Sequence, residues 1–539
     1  MHFKNDAMFN SEGTRLKRNF SALQNRQFDL LVCGGGIYGA WTAYDAALRG
    51  LKVAIVEQGD WASATSSASS KLIHGGLRYL ESYDFKLVKK ALSERQMLLQ
   101  AAPHRVWPLR FGVPVYADSR IGRLQLKLGL ILYDFLAASP LREMAHRYFN
   151  RQAFAHRFSA LDTVGLRGGF SYSDAQTDDA RLVLELIDGA MTAAAVCVNY
   201  CQLTSLTKHM GQVNGAIVKD QLSGVSVELK AKQVVYATGQ WSAVEKESSK
   251  WCRVTKGVHL LLPAVLKDEA LLLTAKADGR VFFMIPWYGL TVVGTTDTDY
   301  NGDMNHVRAE EQDEAYLLDA ANHYLKAAWT KADVISSYAG LRVMKRSEKS
   351  APSAVSRDWE LKTASNGVHY SIGGKITSAR EDAASIVDAV CAQLGKNIPC
   401  ASRGRLFPWA PEEDYAVWSA AISKQAAQLN VDMESTKWLI SRHGKRVIEI
   451  LKNIESNPAL AERITPTVPL ILADLLFCAR NEMVVHLDDL LRRRMPLLIL
   501  ARISEEHMRS LAEQVSGILT WDESTMQREL SSCIHYTKP

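Results

Sequence analysis

The sequence predicts an α/β protein in which a parallel sheet is interleaved with an antiparallel one, followed by an all-α C-terminal domain. Three stretches predict it. Phe28–Glu57 runs apolar strand, glycine turn, helix, apolar strand; Val281–Trp287 and Leu290–Val293 read as antiparallel strands around Tyr288-Gly289; residues 412–539 carry almost no strand signal. At 539 residues the chain exceeds one compact core, so two or three domains are expected.

In the first stretch, Phe28–Cys33 is an apolar run suited to one buried parallel strand. Gly34, Gly36 and Gly39 give G-x-G-x-x-G, with Gly35 as an extra glycine. Ala40–Arg49 read as a helix, Gly50 stops it in a left-handed cap, and Lys52–Val56 return as a strand ending on Glu57. Gly34 permits the tight turn, Gly36 lets a pyrophosphate approach the backbone, and Gly39 lets helix and strand pack closely. Phosphates suit the helix N-terminus and a ribose diol suits Glu57. A glycine fingerprint alone is weak, but strand, helix, strand and acid in register point to a dinucleotide. NAD and FAD both remain open at this point.

The totals limit the rest. A net charge of +6 beside nearly as many acids as bases does not argue for nucleic acid, though it suits anionic metabolites or an anionic membrane surface. The eight cysteines include no C-x-x-C pair, which reads as free, mostly buried thiols in a reducing compartment. No metal-ligand pattern stands out. No apolar run approaches the roughly 20 residues of a spanning helix; Leu126–Ala138 is broken by Lys127 and Asp134. Residues 1–27 lack the apolar middle of a signal peptide, and Asp6 and Glu12 weigh against a transit peptide. They are expected to form a mobile N-terminal extension.

After Glu57, Trp61–Lys71 is dense in hydroxyls, and Lys71, His74, Gly75, Gly76, Arg78 and Tyr79 fall within nine residues. A flexible serine-rich linker competes there with a loop that brings backbone, cation and phenol to a ligand. Asp84–His104 has helical spacing and Phe111–Tyr116 reads as a strand. Arg120–Tyr133 sets Arg120, Arg123 and Lys127 beside an apolar stretch, either a core helix with a basic edge or a surface for anionic lipid. Phe170–Arg181 is read as opening a helix through about Ala195, with Asp178 and Asp179 in its first turn. Strand-like runs follow at 196–206, 214–219, 224–230 and Gln233–Tyr236, the last ending Ala237-Thr238-Gly239, where backbone can approach a ligand. His259 heads an apolar strand and by itself reads as a core histidine; Arg342 by itself reads as a surface arginine. Val368–Ile372 meets Gly373-Gly374-Lys375 and a helix from Thr377 to Cys391, a second strand–glycine–helix junction whose N-terminus suits an anion or carbonyl. Gly395–Pro411 reads as a linker. Beyond it, Thr436–Leu451 and Ile471–Leu491 read as amphipathic helices, and Arg492-Arg493-Arg494 as a basic cluster at a helix end.

These stretches together resemble the FAD-dependent, respiratory-type sn-glycerol-3-phosphate dehydrogenases. The matching motifs are the Phe28–Glu57 fingerprint, SSASSKLIHGGLRYLE, SYSDAQTDDARLV, YATGQW, KGVHL, VFFMIPW with VVGTTDTDY, YAGLR, GGKITSAR and, near the C-terminus, LADLLFCARNEMVVHLDDLLRRR. The resemblance implies a Rossmann-like FAD-binding domain (about 28–110, 171–245 and 335–400) interleaved with a D-amino-acid-oxidase-like antiparallel substrate domain (about 111–170 and 246–334), then a helical domain over 401–539. It implies oxidation of sn-glycerol 3-phosphate at C2 to dihydroxyacetone phosphate, hydride passing to flavin N5 and electrons to a membrane quinone. On the family pattern His259 fits the general base and Arg342 the group that orients substrate or stabilises the C2 oxyanion. Arg78, Tyr79 and Lys375 fit phosphate binding. Gly34, Gly36, Gly39 and Glu57 fit the adenosine diphosphate half of FAD. Ser66, Ser67, Ser70, Lys71, Gly75, Gly239, Gly374, Lys375 and Thr377 fit the approach to the rest of the cofactor.

Gln240, Val343 and Ala379 depart from the family pattern, where Pro, Pro and Tyr are usual. A glycerol-3-phosphate oxidase using oxygen, a flavin oxidoreductase for another phosphorylated or acidic substrate, and a non-catalytic flavoprotein stand as alternatives. The implied partners are glycerol 3-phosphate, quinone and membrane lipid, with a homodimer as the candidate assembly. The implied location is cytoplasmic, peripherally attached to the inner face of the cell membrane.

Overall fold

The strand Gln27–Cys33 pairs in parallel with Val53–Val56 on one edge and Ser226–Tyr236 on the other. Phe28 to Cys33 are all buried, and the one charged residue among them, Asp29, pairs with Lys232 at 2.8 Å. The computed structural model describes residues 16–81, 83–137, 144–346 and 358–534. They fall into two compact units, Phe20–Phe407 on one hand and the segment before Phe20 with the segment from Pro408 on the other.

In the larger unit the first sheet runs Glu360–Thr363, His369–Ile372, Ser226–Tyr236, Gln27–Cys33, Val53–Val56, Val196–Val198, with Cys201–His209 and Gln212–Asp220 as an antiparallel extension. The first helix spans Ile37–Leu48, starting earlier than Ala40 because extended Gly36 already serves as its N-cap. Gly50 closes it at φ +77.

The second sheet holds Cys252–Leu262 between Leu290–Gly294 and Ser336–Lys345, and continues through Val281–Trp287, Glu269–Thr274, Val106–Tyr116 and Leu166–Thr177. Three readings are corrected here. Phe170–Thr177 belongs to a strand, and the helix begins only at Asp179, with Asp178 as N-cap accepting from the Arg181 amide. Ser336–Lys345, allotted to the nucleotide domain, instead pairs along Cys252–Leu262; likewise residues 171–177 pair with Val106–Tyr116, so both boundaries shift. The sheet is also mixed, because Val106–Tyr116 runs parallel to Glu269–Thr274. Those two strands are joined by a long excursion through the other sheet, so no hairpin constrains their direction.

Residues 16–27, placed in a mobile extension, are anchored: Leu16 is buried and bridges to Glu482 in the smaller unit, while Phe20–Leu23 forms a 3₁₀ turn whose Leu23 joins the core of the first sheet. Residues 1–15 lie outside the described residues. None of the eight cysteines forms a disulfide; seven are buried and Cys400 is half-buried.

The smaller unit is helical apart from the hairpin Arg463–Thr465/Val468–Ile471. The expected helix Thr436–Leu451 is two helices, Met433–His443 and Val447–Ser456, broken at Gly444 (φ +52). Ile471–Leu491 is likewise interrupted: Leu472–Asn481 ends before a π-helical turn at Asp489–Arg494. Arg493 and Arg494, read as a basic cluster, are buried; Arg493 pairs with Asp488 and Asp489, and Arg494 donates to the Glu482 carbonyl. Buried His443, Asp474 and Cys478 lie close enough to hold a cation. The two carboxylates at this spot are already paired, however, Asp474 with Arg442 and Glu482 with Arg446.

The serine-rich loop is pinned by Asp179. Its carboxylate takes Lys71 Nζ at 2.6 Å and both the amide and hydroxyl of Ser69 at 3.0 and 2.7 Å, entirely out of solvent. Removing one member of a buried pair leaves the other charge unsolvated. Lys71→Ala is therefore expected to destabilise the protein by about 3–5 kcal/mol, read as a lowered midpoint in thermal unfolding.

Candidate active site

The turn after Gln27–Cys33 is built by steric exclusion. Gly34 sits at φ +110 with Ala237 O only 2.5 Å from where a Cβ would lie, and a Cβ on Gly39 would collide with Gly34 O. The extra glycine, Gly35, has Trp61 at 2.5 Å from its missing Cβ and donates its amide to Glu57 Oε2 at 2.5 Å. Glu57 Oε1 accepts from Gly59 at 2.8 Å. Burial holds the Glu57 carboxyl above its usual range, while the Gly59 and Gly35 amides pull it down. The helix N-terminus has no side-chain cap of its own; the Ile37 amide donates across to Ser66 Oγ at 3.0 Å.

This turn opens on a cleft of about 830 Å³ lined by Gly34, Gly36, Glu57, Ser66, Ala237 and Gly239. A second cavity of about 310 Å³ shares Gly36, Thr65, Ser66, Ala237, Gly239 and Gln240 with it. Six residues thus line both spaces, the first bordered by strands of the first sheet and the second by strands of the second sheet.

The second cavity gathers Ser70, Arg78, Tyr79, His259, Arg342, Gly374 and Lys375 from five separate parts of the chain. Lys375 Nζ lies 3.7 Å from the Tyr79 ring centre and the Arg78 guanidinium 5.6 Å from it, so one phenol ring meets two cations. His259 is buried, its ring stacked on Tyr338 at 4.9 Å and its Nε2 2.8 Å from Ser70 Oγ. Burial, with Arg342 and Lys71 nearby, holds its pKa well below the usual imidazole range, so the ring is neutral at pH 7. Arg342 donates to Thr295 Oγ1 at 2.8 Å and to Thr296 O at 3.1 Å, with Asp297 at 3.5 Å.

Strand register explains why these two meet. Gly257 faces Gly340, and His259 lies between Gly294 and Tyr338. The Arg342 guanidinium lies over Gly257, 2.5 Å from its missing Cβ, and the serine-rich loop lies on Gly340, with Ala68 3.0 Å from that missing Cβ. Tyr38 completes the far wall: its hydroxyl accepts from the Lys375 amide at 2.9 Å and donates to Asp382 at 2.7 Å.

Other anticipated residues fall outside both cavities. Lys71 turns its ammonium to Asp179, Ser67 Oγ donates to Ala64 O, the Gly75 amide donates to Asp174, and Thr377 Oγ1 accepts from the His74 amide. Gly39 packs under the turn. The sequence reading passed over Thr295, Thr296, Asp297, Tyr38, Tyr338 and Arg280, which line the second cavity or hold its residues. Gly294-Thr-Thr-Asp297, noted only as a strand end, and the glycines facing each other at 257 and 340 were the available signals.

A family model described as FAD dependent oxidoreductase matches residues 29–380, and one described as the C-terminal domain of alpha-glycerophosphate oxidase matches 413–526. A glycerol-3-phosphate dehydrogenase of Synechocystis sp. is 36% identical over 501 residues, covering 88% of this chain and 90% of that one. Glycerol-3-phosphate dehydrogenase 2 of Mycobacterium tuberculosis is 34% identical over 525 residues, covering 95% and 88%.

The chain belongs to the FAD-dependent glycerol-3-phosphate dehydrogenase family.

A crystal structure of the glycerol-3-phosphate dehydrogenase from Bacillus halodurans complexed with FAD superposes with a TM-score of 0.79 at 28% identity, covering 96% of each chain. The fold is thus the D-amino-acid-oxidase-like arrangement of this family with its helical C-terminal domain, and its cofactor is FAD. The residues present fit FAD: a side-chain-free turn under a helix N-terminus, an acid at the second strand end, and two adjoining spaces that share lining residues, the second reaching the Gly373–Lys375 junction. Against the family pattern, Gln240 is buried and donates to Met304 O, Val343 lines the second cavity, and Ala379 is buried at the start of the Ala379–Gln393 helix.

Gly257→Ala is expected to leave bound flavin in place, since the atoms it displaces are side-chain ones, the end of the flexible Arg342 and the Thr295 hydroxyl, and none belongs to the backbone. The rate of flavin reduction by substrate should fall on the order of 10²-fold from misplacement of Arg342, measured by stopped-flow absorbance.

Proposed function

We propose that this protein oxidises sn-glycerol 3-phosphate to dihydroxyacetone phosphate and passes the electrons to a membrane quinone. The observation that carries the reading is the convergence of Arg78, Lys375, Arg342 and neutral His259 on one cavity adjoining the FAD cleft. Bound FAD supplies the hydride acceptor. Arg78 and Lys375 hold the phosphate dianion, with Tyr79 fixing the spacing between them. His259 takes the C2 hydroxyl proton, a role worth on the order of 10²–10⁴ in rate. Arg342, braced by Thr295 and Thr296, orients the substrate and stabilises charge on the C2 oxygen. The relatives' names support the substrate. Glycerol 3-phosphate should bleach the flavin absorbance of the purified protein and unphosphorylated glycerol barely should; equal bleaching by both would remove the phosphate assignment.

One observation favours oxygen as the acceptor instead, the match of residues 413–526 to a domain described from an oxidase. Mixing reduced protein with aerated buffer separates the two. The dehydrogenase reading expects slow reoxidation until a quinone analogue is added, and rapid peroxide formation would overturn it.

The quinone reading calls for a membrane face, and the helix Arg123–Ala137 supplies a candidate. Leu124, Leu128, Ile131 and Phe135 are exposed beside Arg120, Arg123 and Lys127. Among the described residues no helix is long and apolar enough to cross a membrane. We propose that this face attaches the protein peripherally to the inner face of the membrane, where Arg120, Arg123 and Lys127 meet anionic lipid. It should co-sediment with anionic liposomes at low salt, and Leu128→Asp with Phe135→Asp should release it.

A further inference from the structure

The proposed reaction asks for a histidine but leaves open what holds that histidine in a productive state. His259 stands in a strand whose neighbours give its ring no polar partner: Gly294 on one side brings no side chain, and Tyr338 on the other offers its ring face. Among the described residues Nδ1 has no hydrogen-bond partner. The contact at Nε2, Ser70 Oγ at 2.8 Å, is thus the one hydrogen bond that fixes ring rotation and tautomer.

We propose that Ser70 is the positioning residue for His259, its hydroxyl holding the ring on both sides of the proton transfer. In the neutral ring carrying its proton on Nδ1, Ser70 Oγ–H donates to the single lone pair of Nε2; as the C2 hydroxyl proton passes to Oγ, Oγ gives its own proton to Nε2, and the resulting Nε2–H donates back to Oγ. No other side-chain class of this size does both. The inference rests on the assignment of His259 as the base.

Ser70 is itself held from three directions, which makes it a rigid partner. The residue before it gives amide and hydroxyl to Asp179, the residue after it gives its ammonium to the same carboxylate, and Tyr338 donates its hydroxyl to the Ser69 carbonyl at 3.0 Å. Tyr338 therefore stacks on the histidine while bonding to the loop that carries its partner. Asp179, far from both cavities in role, becomes the anchor of this arrangement. The charged and titratable groups facing His259 are Arg342 and Tyr338 from Ser336–Lys345 and Lys71, paired with Asp179, from the loop; Asp297 faces Arg342.

The test uses the FAD-loaded full-length protein and follows flavin reduction by glycerol 3-phosphate across pH in the parent, Ser70→Ala, Ser70→Thr and His259→Asn. Ser70→Ala should keep its FAD, lose between tenfold and on the order of 10²-fold in limiting reduction rate, and shift the acid limb of the rate profile. Ser70→Thr should restore the rate and the limb. A Ser70→Ala profile superimposable on the parent, with His259→Asn slow, would overturn the positioning role and leave the base assignment standing. Loss of rate that tracks loss of FAD with the limb unmoved would equally overturn it, making the serine a flavin contact. Parent-like reduction by His259→Asn would bring down the base assignment, and Ser70's role with it.

Discussion

Three glycines shape the wall that the second sheet gives to the smaller cavity, and much of its geometry follows from what they lack. Gly257, Gly294 and Gly340 sit on adjacent strands of the second sheet, two of them directly opposite one another. A Cβ at any of them would meet Arg342, His259 or the loop at Ala68. A β-sheet face ordinarily presents side chains at every second position. Removing them here lets an arginine lie flat along the sheet, lets an imidazole tuck against a neighbouring strand, and lets a polar loop rest on backbone. Glycine within a strand weakens it through entropy and lost packing. The cost is borne where the sheet is held on both edges, because Cys252–Leu262 is paired on each side.

The loop that rests on this wall ties the two sheets together. It leaves the first sheet beside Glu57, gives Ser66 to the first helix N-terminus, and reaches the second sheet at Leu72–Ile73. Its anchor is a buried ion pair, which desolvation makes a poor source of net stability but a strong constraint on conformation once folded. Lys71 adopts φ +60 to make it, a backbone state a non-glycine residue holds only under tertiary restraint. The two cavities therefore share a wall whose position is set by Asp179, at the start of a helix belonging to neither.

Much of the larger unit was legible in the chain. The βαβ fingerprint appears because apolar period, glycine spacing and terminal acid are local, and the structure needs no distant residue to form them. His259 and Arg342 were legible only through family resemblance: by itself the first reads as a core histidine and the second as a surface arginine. The boundaries were misread where one strand continues past a local signal. Phe170–Thr177 carries Ser, Asp, Gln and Thr because its polar groups bond inside the sheet and to buried Arg95 and half-buried Arg110, which local patterning cannot anticipate. The helical unit was overextended for a similar reason, since Gly444 and the 482–488 segment break helices whose apolar spacing runs on.

The sequence by itself determined the dinucleotide turn, the division into α/β and helical parts, and the presence of a basic, hydroxyl-rich loop. Those features depend on steric exclusion and periodicity over a few neighbouring residues. The tertiary structure alone decided which of the loop's residues face a ligand. Lys71, Ser67 and Gly75 spend their polar groups on the protein, while Ser70, Arg78 and Tyr79 turn to the cavity. The physical reason is that a buried cation goes where a buried carboxylate waits. Asp179 is 108 residues from Lys71 in the chain and 2.6 Å away in space.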